Sequence, residues 1–305
     1  MRSGRRVFTV NDCFTENLNM SEYSSMKTGG TAPRCYFPET EQQLVSVIDC
    51  FEERHEKYYV FGNLSNVLLP DGILQFTPVL TVKMKGIDIK ENTAGNEVTV
   101  KALCGVQLTR LAYDMCKAGY SGLEFAYGIP GTVGGAVFMN AGAYGSEMRN
   151  VLKSVDFYDT EKKEILKITA DKCGFSYRNS AFQNMKGVIL SAEISLVRDN
   201  PEKCLETAKD YMSRRVSKQP LEYPSCGSAF KRPEGYFAGE LIEKCGLKGY
   251  SVGGACVSEK HAGFIINKGG ATSADVIELI KRVKAQVKEK FGVELEPEIQ
   301  VMAVN

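Results

Sequence analysis

The stretch that decides the fold is Gly128-Ile-Pro-Gly-Thr-Val-Gly-Gly-Ala-Val-Phe-Met-Asn-Ala-Gly-Ala-Tyr-Gly145. Its six glycines in eighteen residues are poor material for a helix or a strand, because each glycine loses much backbone entropy when it is fixed. Glycines instead allow the main chain to approach a ligand closely and to turn N–H groups toward phosphate oxygens. A tight turn would need only one or two of them, so the pattern favours a binding loop.

A second loop, Gly62-Asn-Leu-Ser-Asn66, follows the strand-like run 57–61 and places a hydroxyl and an amide after a strand, which could donate two hydrogen bonds to a diphosphate. Serine and asparagine are common in turns, so this loop alone is ambiguous. Two such loops together favour a bipartite cradle for a diphosphate. The chain contains neither a G-x-x-x-x-G-K-[ST] motif nor a G-x-G-x-x-G motif after a strand, so a P-loop and a Rossmann site are not indicated.

The remaining sequence alternates between helical and strand-like patterns. Helices are predicted from the capping box Thr40-Glu-Gln-Gln43, over 108–116, from Asn200-Pro201 to about 216, and from about Ser273 to Gly292. Strands are predicted at 57–61, 78–82, 97–101, 152–158 and 187–191. This mixture predicts an α+β protein.

Composition excludes several classes of protein. The 305 residues carry a formal net charge of +1, which offers no basic field for nucleic acid. We find no apolar run long enough for a membrane span or a signal peptide, and we therefore expect a cytoplasmic protein. The ten cysteines form no C-x-x-C pair, and His55 and His261 lie near no cysteine pair, so we predict reduced, mostly buried thiols and no metal site.

The two loops together resemble the flavin-binding domain of the vanillyl-alcohol-oxidase type. Within that superfamily the chain resembles the UDP-N-acetylenolpyruvoylglucosamine reductase family, from Lys27-Thr-Gly-Gly30 to Leu295-Glu-Pro-Glu-Ile299. The resemblance implies an α+β fold with an FAD-binding domain of the PCMH type and a smaller C-terminal α+β substrate-binding domain. It implies the N-terminal part of the FAD-binding region over 1–75, the main FAD-binding domain over 76–200 and the C-terminal domain over 201–305. The C-terminal part lacks a tyrosine-bearing insertion, which indicates the shorter, second type of the enzyme.

The resemblance also implies a cofactor and a reaction. FAD would be held non-covalently, with NADPH as co-substrate, and UDP-N-acetylglucosamine enolpyruvate would be reduced to UDP-N-acetylmuramate in peptidoglycan precursor synthesis. The first loop departs from the family at Leu64, where a second glycine is usual. The residues expected to bind the cofactor are Gly62, Asn63, Ser65, Asn66, Ile129, Pro130, Gly131, Thr132, Gly134, Gly135, Asn140, Ala141 and Gly142.

Three short segments carry the family's catalytic pattern. Phe175-Ser-Tyr-Arg-Asn-Ser180 supplies Arg178, Pro224-Ser-Cys-Gly-Ser-Ala-Phe-Lys231 supplies Ser228, and Leu295-Glu-Pro-Glu298 supplies Glu298. A guanidinium suits a carboxylate whose charge is growing, and a positioned hydroxyl can protonate a strongly basic carbanion. Glu298 would share in stabilising the enolate-like species.

Each of these three residues also has an ordinary interpretation. Arg178 fits a surface arginine, Ser228 a turn serine, and Glu298 a capping or ion-paired glutamate. Their joint occurrence beside two flavin loops favours catalysis.

Further contacts with the substrate are expected from Tyr177, Lys231 and Arg232, although the family commonly has asparagine at the position of Arg232. Cys226 is interpreted as a packed thiol and His261 as a structural histidine.

Two alternatives stay open. The first is another oxidoreductase of the same superfamily that uses oxygen, but covalent-flavin oxidases usually anchor FAD through histidine or cysteine, and the loops 62–66 and 128–145 contain neither. The second is a non-catalytic nucleotide-sugar binding protein, which would not need a proton donor. The presence of all three catalytic candidates argues against it.

Overall fold

The computed structural model describes residues 13–92 and 95–302. These residues form two compact units. The first unit contains the described residues up to Leu18, then Pro33–Gly62 and Phe76–Leu205. The second contains Asn19–Ala32, Asn63–Gln75 and the described residues from Glu206 onward.

The described residues contain six α-helices and eighteen strands, so the α+β prediction is confirmed. The helices are α1 (Glu41–Glu53), α2 (Leu108–Lys117), α3 (Val133–Phe138), α4 (Pro201–Lys218), α5 (Ala238–Lys244) and α6 (Ser273–Phe291). The strands are β1 (Phe14–Asn19), β2 (Thr31–Tyr36), β3 (Tyr58–Phe61), β4 (Val67–Leu68), β5 (Thr77–Leu80), β6 (Ile87–Glu91), β7 (Glu97–Leu103), β8 (Tyr120–Ser121), β9 (Gly142–Ala143), β10 (Ser146–Glu147), β11 (Leu152–Asp159), β12 (Glu164–Thr169), β13 (Gly187–Arg198), β14 (Ser225–Ser228), β15 (Ser251–Val252), β16 (Ala255–Val257), β17 (Phe264–Asn267) and β18 (Gln300–Val301).

The first unit is built mainly on a six-stranded antiparallel sheet with the order β12-β11-β13-β7-β6, in which β8 also pairs with β13. Val98, Val100 and Ala102 alternate along β7 and are fully buried, which is the two-residue period of a strand with one face in the core. In the four-stranded sheet β1-β2-β5-β3, β5 runs parallel to both β2 and β3.

The second unit contains the antiparallel sheet β14-β17-β16-β15. Helix α6 packs against β15 and β16, and α5 packs against α6. Val276, Leu279, Val283 and Val287 repeat at helical spacing on α6 and are fully buried. A short parallel pair joins β18 to β4, so the C-terminal segment is held by residues that follow the first loop.

The four predicted helices are confirmed, and side-chain caps account for where α1, α4 and α6 begin. Thr40 Oγ1 accepts a hydrogen bond from Gln43 N at 3.1 Å. The Gln43 side chain accepts from Glu39 N rather than from Thr40 N, so the cap of α1 extends one residue earlier than the predicted capping box. Helix α6 ends at Phe291 and is capped by Gly292, whose φ of +69° is the left-handed conformation that glycine favours.

The five predicted strands are also confirmed as β3, β5, β7, β11 and β13. Strand β13 continues to Arg198, well beyond the predicted end at Ser191, because its second half pairs with β7 and β8.

The prediction that the glycine-rich stretch is unsuited to a helix was wrong for part of it, because α3 lies within that stretch. Thr132 caps α3 by accepting from Gly135 N, and Val133, Ala136 and Val137 are buried. Burial of these side chains offsets the roughly 1 kcal/mol that each helical glycine costs.

The prediction of unpaired, mostly buried thiols is confirmed, since all ten cysteines are free and seven are buried. Burial raises the pKa of Cys35, Cys104, Cys116 and Cys226 to about 12. Across residues 13–92 and 95–302, none of the helices combines the length and apolarity needed to cross a membrane.

We predict that Asn200→Ala lowers the free energy of unfolding by about 1 kcal/mol, because Asn200 Oδ1 accepts from Glu202 N at 2.8 Å and Lys203 N at 3.2 Å at the start of α4. Urea denaturation followed by circular dichroism measures the loss. Asn200→Asp keeps the acceptor oxygen and should retain most of the stability. An equal loss in both variants would contradict the capping role.

Candidate active site

The loop after β3 touches the segment before α3 in the first unit. A Cβ on Gly62 would lie 2.2 Å from Thr132 Oγ1, so only glycine allows this approach. Gly62 and Thr132 are both expected cofactor residues, and the structure brings them together.

Several main-chain amides of the glycine-rich stretch are held by the protein itself. Gly131 N donates to Ile129 O, Val133 N to Val106 O, and Gly134 N to Cys104 O, all at 2.8–3.0 Å. A Cβ on Gly134 would also lie 2.7 Å from the Cβ of Cys104. Glycine at 134 is therefore required by the packing of α3 against the end of β7.

Gly135, unlike the buried Gly134, is exposed. A Cβ at this position would meet only Thr132 Oγ1, at 3.5 Å, which is ordinary van der Waals contact. Since alanine would suit this helical position better than glycine, the packing of the described residues gives no reason for a glycine here. Open main chain beside Thr132 and Gly62 fits the cradle that a closely approaching cofactor needs.

The turn after α3 is organised by Asn140, which is fully buried and has a φ of +44°. Its Nδ2 donates to Ser176 O at 3.1 Å, and its Oδ1 accepts from Arg149 N at 3.0 Å. Ala141 N donates to Ala136 O, and a Cβ on Gly142 would lie 2.6 Å from Ser146 O. The Asn140 side chain is thus used within the protein.

Arg178 lies at the tip of a tight turn in the first unit. Ser176 and Asn179 exchange backbone hydrogen bonds of 3.1 and 3.2 Å, which leaves Tyr177 and Arg178 between them. The φ of Arg178 is +54°, and its guanidinium lies 5.1 Å from the ring centroid of Tyr177, which is 50% exposed.

Ser228 ends β14 in the second unit, where it pairs with Phe264 of β17. The preceding Gly227 has a φ of +77°, which turns the chain at a register shift in the β14–β17 pair. Ser228 Oγ donates to Phe230 O at 3.0 Å.

A backbone bridge brings the segment of Glu298 beside that of Ser228. Phe230 pairs with Pro297, Glu298 N donates to Ala229 O at 2.9 Å, and Lys231 N donates to Glu296 O at 2.8 Å. Two catalytic candidates that are far apart in sequence are therefore neighbours in the second unit.

Asn66 of the first loop joins this group. Its Nδ2 donates to Glu298 O at 3.0 Å, and its backbone O accepts from Gln300 N. Leu64, two residues earlier, is buried and has a φ of +46°. The left-handed conformation explains why glycine would be usual there, because other residues are disfavoured in it by about 1 kcal/mol.

The two basic residues after Ser228 have partners of different kinds. Lys231 Nζ lies 2.5 Å from Glu296 Oε1, and the Arg232 guanidinium lies 4.0 Å from the ring centroid of Phe237. Both residues line a cavity of about 390 Å³ in the second unit. Sequence reasoning missed Glu296, although it lies in the quoted segment Leu295–Glu298.

Cys226 and His261 make contacts within the second unit that fit the structural roles predicted for them. Cys226 is 2% exposed, with its Sγ 3.6 Å from Val67 O. His261 Nδ1 accepts from Gly263 N at 3.0 Å, its ring contacts Phe264, and burial lowers the pKa of its imidazole. In the part of the chain that the structure describes, His, Cys, Asp and Glu side chains form no group of three or more that could hold a metal ion.

Comparison with known proteins gives two matching family models. The FAD binding domain matches residues 33–169, and the C-terminal domain of UDP-N-acetylenolpyruvoylglucosamine reductase matches residues 219–302.

Two curated relatives are named UDP-N-acetylenolpyruvoylglucosamine reductase. The one from Caldicellulosiruptor bescii is 45% identical over 94% of this chain and 90% of its own length. The one from Caldicellulosiruptor saccharolyticus is 42% identical over 98% of this chain and 95% of its own length. The crystal structure of the reductase from Thermus caldophilus superposes with a TM-score of 0.79 at 32% identity, and the match covers 94% of this chain and 98% of that one.

We predict that two adjacent glycines respond oppositely to alanine. Gly135→Ala should raise the stability of the flavin-free protein by up to about 1 kcal/mol and weaken FAD binding at least tenfold, because the added methyl fits the protein but enters the open cradle. Gly134→Ala should destabilise the flavin-free protein, because its methyl meets Cys104. Thermal unfolding and a fluorescence titration with FAD measure the two effects. Unchanged FAD affinity in Gly135→Ala would show that the cradle lies elsewhere.

Proposed function

The chain belongs to the UDP-N-acetylenolpyruvoylglucosamine reductase family, and from this premise we propose that it reduces UDP-N-acetylglucosamine enolpyruvate to UDP-N-acetylmuramate with NADPH as reductant. It is an FAD-dependent oxidoreductase of peptidoglycan precursor synthesis. The observation that carries the proposal is the backbone bridge between 229–231 and 296–298, which brings the segment of Ser228 beside that of Glu298. A cytoplasmic location fits the ten unpaired cysteines, since such thiols persist in reducing compartments.

FAD, when bound, supplies a two-electron carrier between NADPH and the enolpyruvyl double bond. The residues proposed to hold it are the two loops named from the sequence, with Gly62, Thr132 and Gly135 the best supported by packing. Asn140 acts through the turn that it holds rather than through its own amide. In this proposal 76–200 carries the main FAD-binding domain, 1–75 completes it, and 201–305 binds the sugar nucleotide.

Arg178 is proposed to bind the carboxylate of the enolpyruvyl group. Addition of hydride to C3 leaves negative charge at C2, which is delocalised into this carboxylate. A planar guanidinium forms two parallel hydrogen bonds to a carboxylate, and these bonds strengthen as the charge grows. The fixed backbone of the Ser176–Asn179 turn supports this role, because it holds the arginine at a defined tip.

Ser228 is proposed to deliver the proton to C2, and Glu298 to stabilise the enolate-like species. A serine hydroxyl is a weak acid, but a carbanion at C2 is basic enough to take its proton if the hydroxyl is well placed. The hydroxyl has one hydrogen-bond partner in the described structure, Phe230 O, and it can rotate away from that partner.

Tyr177, Lys231 and Arg232 are proposed to bind the sugar nucleotide. Lys231 already faces the carboxylate of Glu296, which is largely exposed, so a substrate phosphate would compete with this carboxylate for the ammonium group. Arg232 stacks on Phe237, which limits the rotamers of its guanidinium before any ligand arrives.

We predict that the purified protein is yellow and that its flavin absorbance is bleached by NADPH and restored by the enolpyruvyl sugar nucleotide. Stopped-flow spectroscopy separates the two half-reactions. In Ser228→Ala, reduction by NADPH should be almost unchanged while reoxidation slows by several decades, because the proton is needed only after hydride transfer.

The matched control is Ser225→Ala, which removes a hydroxyl from the same strand at similar burial and should leave both half-reactions near the wild-type rates. A colourless protein, or an equal loss in both half-reactions of Ser228→Ala, would count against the proposal.

A further inference from the structure

The side chain of Gln183 bridges two carbonyl groups of the first unit. Its Nε2 lies 3.0 Å from Phe138 O, at the last residue of α3, and 3.2 Å from Arg178 O. A glutamine amide nitrogen carries two N–H donors, so each carbonyl can receive one of them. The same amide thus contacts the end of the glycine-rich helix and the tip of the arginine turn.

The arginine turn needs such support because of its backbone conformation. The φ of Arg178 is +54°, a region that residues with a Cβ rarely adopt and that glycine or asparagine usually fills at the third position of a tight turn. A residue in this region keeps its conformation only if its surroundings hold it there. The hydrogen bond to Arg178 O fixes the orientation of the peptide that follows the strained residue.

Neighbouring contacts attach the same turn to α3 at other points. Ser180 Oγ donates to Phe138 O at 2.7 Å, and Asn140 Nδ2 donates to Ser176 O at 3.1 Å. Among these side chains, Gln183 reaches the carbonyl of Arg178 itself. The other two attach Ser180 and Ser176, on either side of Arg178, to the end of α3 and the residues that follow it.

We propose that Gln183 is a positioning residue for Arg178. Its amide fixes the Arg178 backbone relative to the end of α3. The inference rests on the proposed function, because it assumes that Arg178 binds the substrate carboxylate and that α3 carries part of the flavin cradle. Gln183 itself touches neither ligand in this proposal. Because its amide contacts both α3 and the Arg178 backbone, it determines where the guanidinium lies relative to α3.

The test compares three single variants in the FAD-loaded full-length protein. Gln183→Met removes the donors from a side chain of similar length, and Gln183→Lys restores a donor. Gln43→Met is the control, since Gln43 is another half-buried glutamine of the first unit whose side chain has a backbone partner, Glu39 N. Stopped-flow spectroscopy again separates flavin reduction by NADPH from reoxidation by the sugar nucleotide.

We expect Gln183→Met to reoxidise about ten- to a hundredfold more slowly, with reduction changed less than twofold, because a small misplacement of a positioning group has effects of this size. Gln183→Lys should recover most of the lost rate, and Gln43→Met should match the wild type. Equal losses in both half-reactions, or no recovery in Gln183→Lys, would overturn the inference.

A double-mutant cycle with Arg178→Ala separates this inference from the proposed function. If Gln183 acts through Arg178, the double variant should reoxidise no more slowly than Arg178→Ala alone. Additive losses would overturn the positioning role while leaving the role of Arg178 intact. A wild-type reoxidation rate in Arg178→Ala would overturn the role of Arg178 and this inference with it, whereas a wild-type protein whose reduced flavin is not reoxidised by the sugar nucleotide would overturn the proposed function itself.

Trypsin gives a second readout that does not depend on activity. Cleavage after Arg178 requires the turn to open, so Gln183→Met should be cut there at least fivefold faster than the wild type, while Gln43→Met should not. The cleavage site is identified by mass spectrometry of the early fragments. An unchanged cleavage rate at this bond would show that Gln183 does not hold the turn.

Discussion

The buried amide of Asn140 is the contact on which the proposed chemistry of the first unit depends. An amide taken out of water without partners costs several kcal/mol, so the chain around it must supply both a donor and an acceptor. Ser176 O and Arg149 N meet this requirement from two different segments. The end of α3, the segment that follows β10 and the arginine turn are thereby fixed relative to one another. The side chain of Asn140 thus supports both the end of the glycine-rich helix and the turn that carries the Arg178 guanidinium.

In the second unit, the segments that carry the candidate residues are held together by backbone pairing. The first unit uses the buried side chain of Asn140 for this purpose. Residues 229–231 and 296–298 form a short antiparallel bridge, and the Asn66 side chain attaches the first loop to Glu298 O. Each bond is an ordinary one, worth about 1 kcal/mol. Together they bring three distant segments into contact, so backbone pairing fixes where the main chain of Glu298 lies.

The sequence predicted elements whose signals are local. Helices α1, α4 and α6 have capping residues at their starts, and the alternation along β7 is visible without tertiary information. Helix α3 was missed because its stability comes from burial, which the glycine content of the stretch conceals. The sequence also could not distinguish why each glycine is present. Gly62 and Gly134 make room for other protein atoms, whereas Gly135 leaves space that the protein does not fill.

The family pattern identified the candidate site residues. It did not identify the residues that hold these candidates in place. Gln183 and Glu296 are ordinary polar residues whose importance comes only from the carbonyl or ammonium group that they meet in the folded chain. Nothing in local spacing marks them, since their partners are set by the packing of separate segments. At Leu64 the sequence does mark an unusual backbone conformation. The family usually has glycine at this position, and Leu64 has a left-handed φ.

The hydrogen bond from Ser228 to Phe230 O would let one bridge serve both the structure and the proton transfer proposed for Ser228. Phe230 pairs with Pro297, so the carbonyl that orients the hydroxyl belongs to the same pairing that positions Glu298. To protonate a carbon the hydroxyl must leave this carbonyl, which costs about 1 kcal/mol for a neutral hydrogen bond. That cost is a factor of roughly five in rate, which is small beside the roughly two to four decades that proton transfer by a positioned side chain supplies. The bond is therefore strong enough to select a starting orientation and weak enough to be exchanged, which is what the proposed role of Ser228 as a proton donor requires.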